Sequence, residues 1–410
     1  MLRAGRLFLA GAVLLFLATS LSGCWNRKEL NTLAIVVAMG LDKAAERGKV
    51  EVTVQIVKPG EISPPSGRGG GGGGTGGSQP VLLLTTSGET VFDAVRNAVL
   101  QIDRRLFWPH TKVVVVGEEL AQAGIGPLLD WIDRDPEPRR LSWLFVARGT
   151  ARDVLGAEGL IEKVPATFLE NLAKASDAAS KAPKVRLHDF LKLLTTEGRD
   201  PFCTGIEVLE EGSSPGGSEE GSTKNKEKGR RVKLAGTAVF KEDRLVGWLN
   251  EKETRGLLWV LGKVKSGIVV VPSPTQGGGE LSLEIIRATS RITPRFVGGQ
   301  LSIMVEIKEE GSLGEQMSFG KLAEPEIFAA IEKKQAEVIE QEVNAALTKA
   351  QQELGADIFG FGEAVHRRYP KEWRRLKDHW REMYPTIKVD VKASTKLRRM
   401  GLSLVPNVPR

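Results

Sequence analysis

Across 410 residues, 58 Lys and Arg stand against 51 Asp and Glu, a net charge of +7 that is mild for the length. That length suits two or three domains of ordinary size. With two cysteines in all, stability has to come from packed cores rather than a disulfide framework, and beyond the N-terminal leader no stretch is long and apolar enough for a transmembrane helix.

The leader opens with Arg3 and Arg6 and continues as an apolar run from Leu7 to Ala18, the length of a signal-peptide core. Leu21-Ser22-Gly23-Cys24 follows, a large apolar residue, two small ones and a cysteine, which resembles the bacterial lipobox. Small residues suit a protease that binds extended backbone, and the thiol is the nucleophile that accepts a diacylglyceryl group. Residues 1–23 therefore read as a lipoprotein signal peptide and Cys24 as the lipidated first residue of an exported chain. Each buried methylene contributes ~0.8 kcal/mol, so two or three acyl chains hold firmly. Cleavage removes two arginines and no acid, so +7 becomes +5. The expected location is the outer face of the cell membrane, anchored by lipid, and export disfavours nucleic acid as a partner. With Cys24 acylated, Cys203 is the one remaining thiol, in the apolar, strand-like Phe202–Val208, where a buried structural role is expected.

Leu33–Gly40 reads as a buried strand, and Val50–Val57 alternates as a half-exposed strand antiparallel to it. The glycine-rich stretch 60–80 reads as a loop. A strand at Val81–Thr85, a helix at Glu89–Leu100, strands at Lys112–Val116 and Leu141–Ala147, and a helix at Glu118–Ile132 complete an N-terminal α+β domain over 24–195. A small middle β-rich domain over 196–275 takes strands at Ile206–Leu209, Leu234–Phe240 and Leu245–Trp248, with a polar loop at 213–231. A C-terminal α+β domain over 280–410 takes strands at Leu281–Ile292, Leu301–Ile307 and Ile387–Ala393. Its long helix, 326–354, is the strongest in the chain, and a further helix spans Lys371–Met383. The fold class expected is α+β, a multi-domain ectodomain of three mixed or antiparallel sheets, each packed with helices.

Catalytic patterns are weak. The glycine run Gly69–Gly74 lacks the lysine of a phosphate-binding loop, and His110, His188, His366 and His379 make no paired-ligand motif. Glu118-Glu119 and the cluster of Asp130, Asp133, Asp135 and Glu137 read as solvated faces. No catalytic residue, metal ligand or cofactor site is assigned, and the chain is read as not an enzyme. One segment stands out: Trp373, Arg374, Arg375, Lys377, Trp380 and Arg381 place two tryptophans seven apart beside four cations, and from Lys371 onward eleven Lys or Arg meet four Asp or Glu. On a helix this is an apolar stripe beside a basic one, suited to anionic headgroups or a docking partner; the same spacing fits a packed helix with both tryptophans in the core.

The segment Cys24-Trp25-Asn26-Arg27-Lys28-Glu29-Leu30-Asn31, continuing through Leu33–Lys43, resembles the start of the C-subunit lipoproteins of spore germinant receptors, the Ger(x)C family. Gly236–Lys241, Leu245–Leu249 and Glu253–Gly256 resemble that family's middle-domain signature, and Phe359-Gly360-Phe361-Gly362 followed by Trp373 resembles its C-terminal domain. The inserts at 60–80 and 213–231 depart from the pattern, both in loops. The resemblance implies a three-domain ectodomain without known catalytic activity, tethered outside the spore inner membrane beside two integral membrane partners, the A and B subunits, in a complex that senses nutrients and triggers germination. It carries over one site residue, the lipidated Cys24. Two other classes stand beside it: a solute-binding lipoprotein that delivers a nutrient to a membrane partner, and a cell-wall enzyme.

Overall fold

Runs of β-branched residues build the first sheet. Strand β1 (Leu33–Lys43) is almost wholly buried and lies antiparallel to β2 (Val50–Val57), which pairs antiparallel with β3 (Val81–Gly88). After helix α1 (Val91–Asn97), the short β4 (Arg105–Phe107) runs parallel to the first residues of β1 and β5 (Val113–Val116) parallel to its later ones. Helices α2 (Glu118–Ala123) and α3 (Gly126–Arg134) lead to β6 (Trp143–Arg148), parallel to β5. Helices α4 (Ala151–Gly156), α5 (Pro165–Ala175) and α6 (Leu187–Thr195) lead to β7 (Phe202–Leu209), parallel to β6. Then β8 (Arg231–Lys241) and β9 (Arg244–Leu249) close the sheet antiparallel, giving nine strands in the order β3-β2-β1-β5-β6-β7-β8-β9 with β4 beside β1. The computed structural model describes residues 5–6, 9, 11–12, 32–62, 80–157, 159, 161–209, 230–275, 278–317, 322 and 324–399.

Helix α7 (Glu251–Val260) leads to the second sheet, four strands in sequence order: β10 (Ile268–Pro272), the long hairpin β11 (Glu280–Val297) with β12 (Gln300–Gln316), and β13 (Lys388–Arg399) parallel to β12. The parallel pair needs a crossover, supplied by α8 (Pro325–Leu347) and the short α9 (Phe361–Arg368), α10 (Pro370–Leu376) and α11 (Trp380–Met383). Proline at the start of α8 and α10 costs nothing, because its missing N–H would be unpaired there. Helix α8 lies along β13, whose Ala393 and Leu397 amides donate to Glu340 and Glu332 of that helix at 2.9 Å each.

The α+β class stands, but the described residues form two sheets, not three. The strands expected to make a separate middle sheet extend the first one, because β7 enters parallel to β6 and carries β8 and β9 with it. Val50–Val57 is antiparallel to its neighbour yet not half-exposed: Thr53 and Gln55 are fully buried, and Gln55 donates to the Leu155 carbonyl at 2.5 Å and accepts from the Ala166 amide at 3.2 Å. Helices α4 and α5 cover that face, so polar alternation marks a satisfied buried face. Glu118–Ile132 is two helices because Gly124 takes φ +117. Lys371–Met383 is likewise broken, by a 3₁₀ turn at Lys377–His379.

A small apolar core lies under α4 and α5 on one face of the first sheet. A large one starts on the other face and runs without a break through α7 and α8 into the second sheet. Cys203 is buried in the large core, with its thiol donating to the Leu144 carbonyl at 3.2 Å and burial pushing its pKa up.

Candidate functional site at the junction of the sheets

Two clusters of charged residues fasten the first sheet to the second. One is centred on Asp357, in the turn before α9. Its Oδ1 accepts the amides of Gly360 at 2.9 Å and Phe361 at 3.0 Å, and its Oδ2 accepts the Gly362 amide at 2.8 Å and the Trp380 indole at 3.2 Å. Those are amides at the start of α9, which no carbonyl of the helix can reach. Burial pushes the Asp357 carboxyl up to about 6 while the amides pull it down. The Asp357 amide in turn donates to Asp200 Oδ2 at 2.8 Å, and the Asp200 amide donates to the Asp357 carbonyl at 2.9 Å. Asp200 lies just before β7, so this pair joins the entry of the first sheet to the C-terminal helices. Burial raises the Asp200 carboxyl as well.

The Phe-Gly-Phe-Gly motif has its reason here. Gly360 takes φ +75, in the left-handed region. A Cβ on Gly362 would lie 2.6 Å from the Gly198 carbonyl and 2.8 Å from the Trp380 ring, so only glycine lets the two chain segments meet. Trp373 and Trp380, 1% and 5% exposed, pack edge to face at 5.2 Å over this contact.

The second cluster joins α7 to α8. Arg255 grips Glu342 with two nitrogens, and the Trp259 indole donates to Glu342 Oε2 at 2.9 Å. Gly256 sits where a Cβ would overlap the Glu342 carbonyl and Ala346, so the helices touch backbone to backbone. Asn250 and Glu253 cap α7 reciprocally, at 2.9 and 2.8 Å, and Thr254 shares a hydrogen bond with Thr237 of β8 at 2.8 Å. The Glu-Thr-Arg-Gly motif is thus a cap, a tie to the sheet, an ion-pair partner and a close approach in four successive residues.

Between the loop before β7 and helices α10 and α11 lies a cavity of about 290 Å³, lined in part by Glu197, Arg199, Asp200, Trp373, Lys377 and Arg381. The Asp357 oxygens are all committed to donors, so they are not placed as proton acceptors for a bound molecule. What the arrangement does is link: α9–α11 are tied to the entry of β7, and α8 to α7.

The tryptophans of the C-terminal basic segment are therefore core residues rather than an exposed stripe, and both pack at the Gly198–Gly362 contact. Arg374, Arg375, Lys377 and Arg381 are exposed; Lys377 lies 3.7 Å from Glu197 and Arg381 2.6 Å from Glu242. Cys24 lies outside the described residues. Sequence reasoning missed Asp200, Asp357 and Glu342. Asp357 had one signal, an aspartate just before a glycine-rich helix start; Glu342, an acid on the apolar face of α8, had another.

A family model described as "Spore germination protein N-terminal domain" matches residues 26–208, and one described as "Spore germination B3/GerAC like, C-terminal" matches residues 235–401. "Spore germination protein KC" of Bacillus subtilis (strain 168) is 30% identical over 398 residues, 95% of each chain. "Putative spore germination protein YfkR" of the same organism is 28% identical over 388 residues, again 95% of each. The solved structure titled "Crystal Structure of the GerBC protein" aligns with a TM-score of 0.53 at 22% identity, covering 88% of this chain and 96% of that one, and shares the fold.

Proposed function

The chain belongs to the Ger(x)C family of spore germination proteins, and from that premise we propose that it is the non-catalytic, lipid-anchored C subunit of a nutrient germinant receptor. The observation that carries this is the match to a spore germination protein over 95% of each chain, together with the lipobox-like Leu21-Ser22-Gly23-Cys24. In this reading acyl chains on Cys24 hold the two-sheet body on the outer face of the spore inner membrane. There it meets integral A and B subunits at high effective concentration. Its part is assembly and relay, for which the Asp357 and Glu342 clusters supply rigid links between the sheets.

The test is a pull-down from spore inner membrane with the natural chain and with Cys24→Ala. The natural chain is expected in the membrane fraction with two polytopic proteins, and the variant outside it. Equal membrane recovery of the variant, or a natural chain with an unacylated N-terminus, refutes the reading.

A further inference from the structure

The outer face of the second sheet is a cationic strip. Register places the outward residues of β11, β12 and β13 in rows. Arg295, Ser302 and Lys388 form one row; Arg291, Glu306 and Lys392 form another four residues along; Arg287, Glu310 and Lys396 form a third, four further on. Lys308 stands on the central strand between the last two rows, and Asp390 on β13 between the first two. These residues face outward because Ile303, Val305, Ile307 and Glu309 of β12 turn inward, where Gln335 of helix α8 meets the strand at Gly311. Neighbouring strands lie about 4.8 Å apart and each residue rises about 3.3 Å, so the strip is about 10 Å wide and about 26 Å long.

Most of its charge has no partner within the strip. The rows hold seven Lys and Arg against Asp390, Glu306 and Glu310. Asp390 is taken by Lys388 at 3.0 Å, and Glu310 by Arg287 at 2.6 Å together with Arg398 at 2.9 Å. That leaves Arg291, Arg295, Lys308, Lys392 and Lys396, all exposed and without an ion pair among the described residues. One acid, Glu306, stands between Arg291 and Lys392. A single carboxylate does not balance five cations, so the strip presents a positive field to an approaching anion.

The same strip indicates what kind of anion fits. It exposes no aromatic ring, so the bases of a nucleic acid have nothing to stack on. Its largest apolar side chain, Met304, is half-buried, so nothing is offered to enter a bilayer or to form the apolar centre of a protein interface. Sheets twist, and a long strip turns away from a flat headgroup layer while a flexible chain can follow it. An acidic polypeptide has to order a long side chain for each charge it delivers. A polymer with phosphates in its main chain brings the same charge without that cost, and both ammonium and guanidinium groups serve phosphate oxygens.

We propose that the outer face of β11, β12 and β13 binds a flexible linear polyanion that carries phosphates in its main chain and no stacking groups. The polymer lies along the strands over Lys308, flanked by Arg291 and Arg295 on one side and by Lys392 and Lys396 on the other. The proposal stands independently of the lipid-anchor reading.

The test titrates fluorescent inorganic polyphosphate with the full chain in neutral detergent and follows anisotropy over a range of salt concentrations. Five cations meeting phosphates give a slope of log affinity against log salt of about −3.5, at about −0.7 for each contact. Arg291→Gln with Lys308→Gln and Lys392→Gln is expected to bring the slope to about −1.4 and to weaken binding by about tenfold or more at low salt. All three residues are exposed, and an unchanged unfolding midpoint checks that the fold is intact. Arg104→Gln with Arg139→Gln and Lys252→Gln removes the same charge from exposed positions outside the second sheet and is expected to leave the slope as it was. A natural chain with a slope near zero, or equal losses from the two triple variants, overturns the proposal. Tighter binding of oligothymidylate or polyglutamate of equal charge assigns the strip to nucleic acid or to an acidic polypeptide and overturns it as well. Displacement of polyphosphate by phosphatidylglycerol in the detergent, at equal phosphate concentration, assigns the strip to headgroups and has the same consequence.

Discussion

Glu309 and Glu310 are consecutive residues of β12, and the strand's alternation turns one under helix α8 and the other outward. On the outer face Arg398 and Arg287 approach Glu310 Oε1 at 2.9 and 2.6 Å and hold its carboxyl down to about 2. On the inner face Glu309 is 2% exposed beside Gln335, neither of its oxygens has a hydrogen-bond partner among the described residues, and burial pushes it up to about 8. Glu342, buried on the inner face of that helix itself, shows the other way to keep an acid inside, with Arg255 and Trp259 on its oxygens. Burial alone does not settle the charge of a carboxylate. Donors on its oxygens pull against burial, as the amides on Asp357 do.

Breaking the partnered site should cost most. Glu342→Ala strands a buried guanidinium and an indole N–H, and a loss of about 3–5 kcal/mol is expected in urea unfolding. Gly256→Ala attacks the same site sterically by forcing a methyl against the Glu342 carbonyl, and about 3 kcal/mol is expected, the upper end for overpacking. Glu309→Gln should do the opposite. The folded chain keeps the Glu309 proton up to about pH 8 while an unfolded chain releases it near 4.5, so stability falls as pH rises through that window. The amide removes that slope, and a gain on the order of 2 kcal/mol at pH 9 with none at pH 4 is expected from unfolding curves at the two pH values. Glu310→Gln is the mildest. Its depressed pKa lends stability above about pH 4.5 that fades as pH falls toward about 2, so the variant should differ slightly at pH 7 and converge with the natural chain in acid. A larger loss from Glu310→Gln than from Glu342→Ala would reverse the comparison.

The sequence made some of this plain and concealed the rest. Leu33–Gly40 and the alternation of Val50, Val52, Val54 and Ile56 announced their strands because an apolar face against a core leaves a record, whether the other face is apolar too or, as in β2, polar and buried. The expected end of β12 at Ile307 was early. Through the polar run Lys308-Glu309-Glu310-Gly311, the residues Glu309, Gly311 and Leu313 continue the inward alternation to the strand's end at Gln316. The middle sheet was misplaced because periodicity identifies strands without naming their neighbours, and β7 gives no sign that β6 is beside it. Of the junction, the glycines and tryptophans were visible as motifs. Their partners Asp200 and Asp357 were not, since the contact between them joins residues 157 positions apart.

One edge of the second sheet carries a further consequence. Strand β13 is an outer strand, and an outer strand ordinarily offers free amides on which a neighbouring chain can extend the sheet. Here the amides of Ala393 and Leu397 are already taken by glutamates from the crossover helix, and exposed Lys388, Lys392, Lys396 and Arg399 line the same strand. A copy approaching edge-on meets its own row of cations and few open donors. Even at high density, such molecules are guarded against fusing into a common β-ribbon.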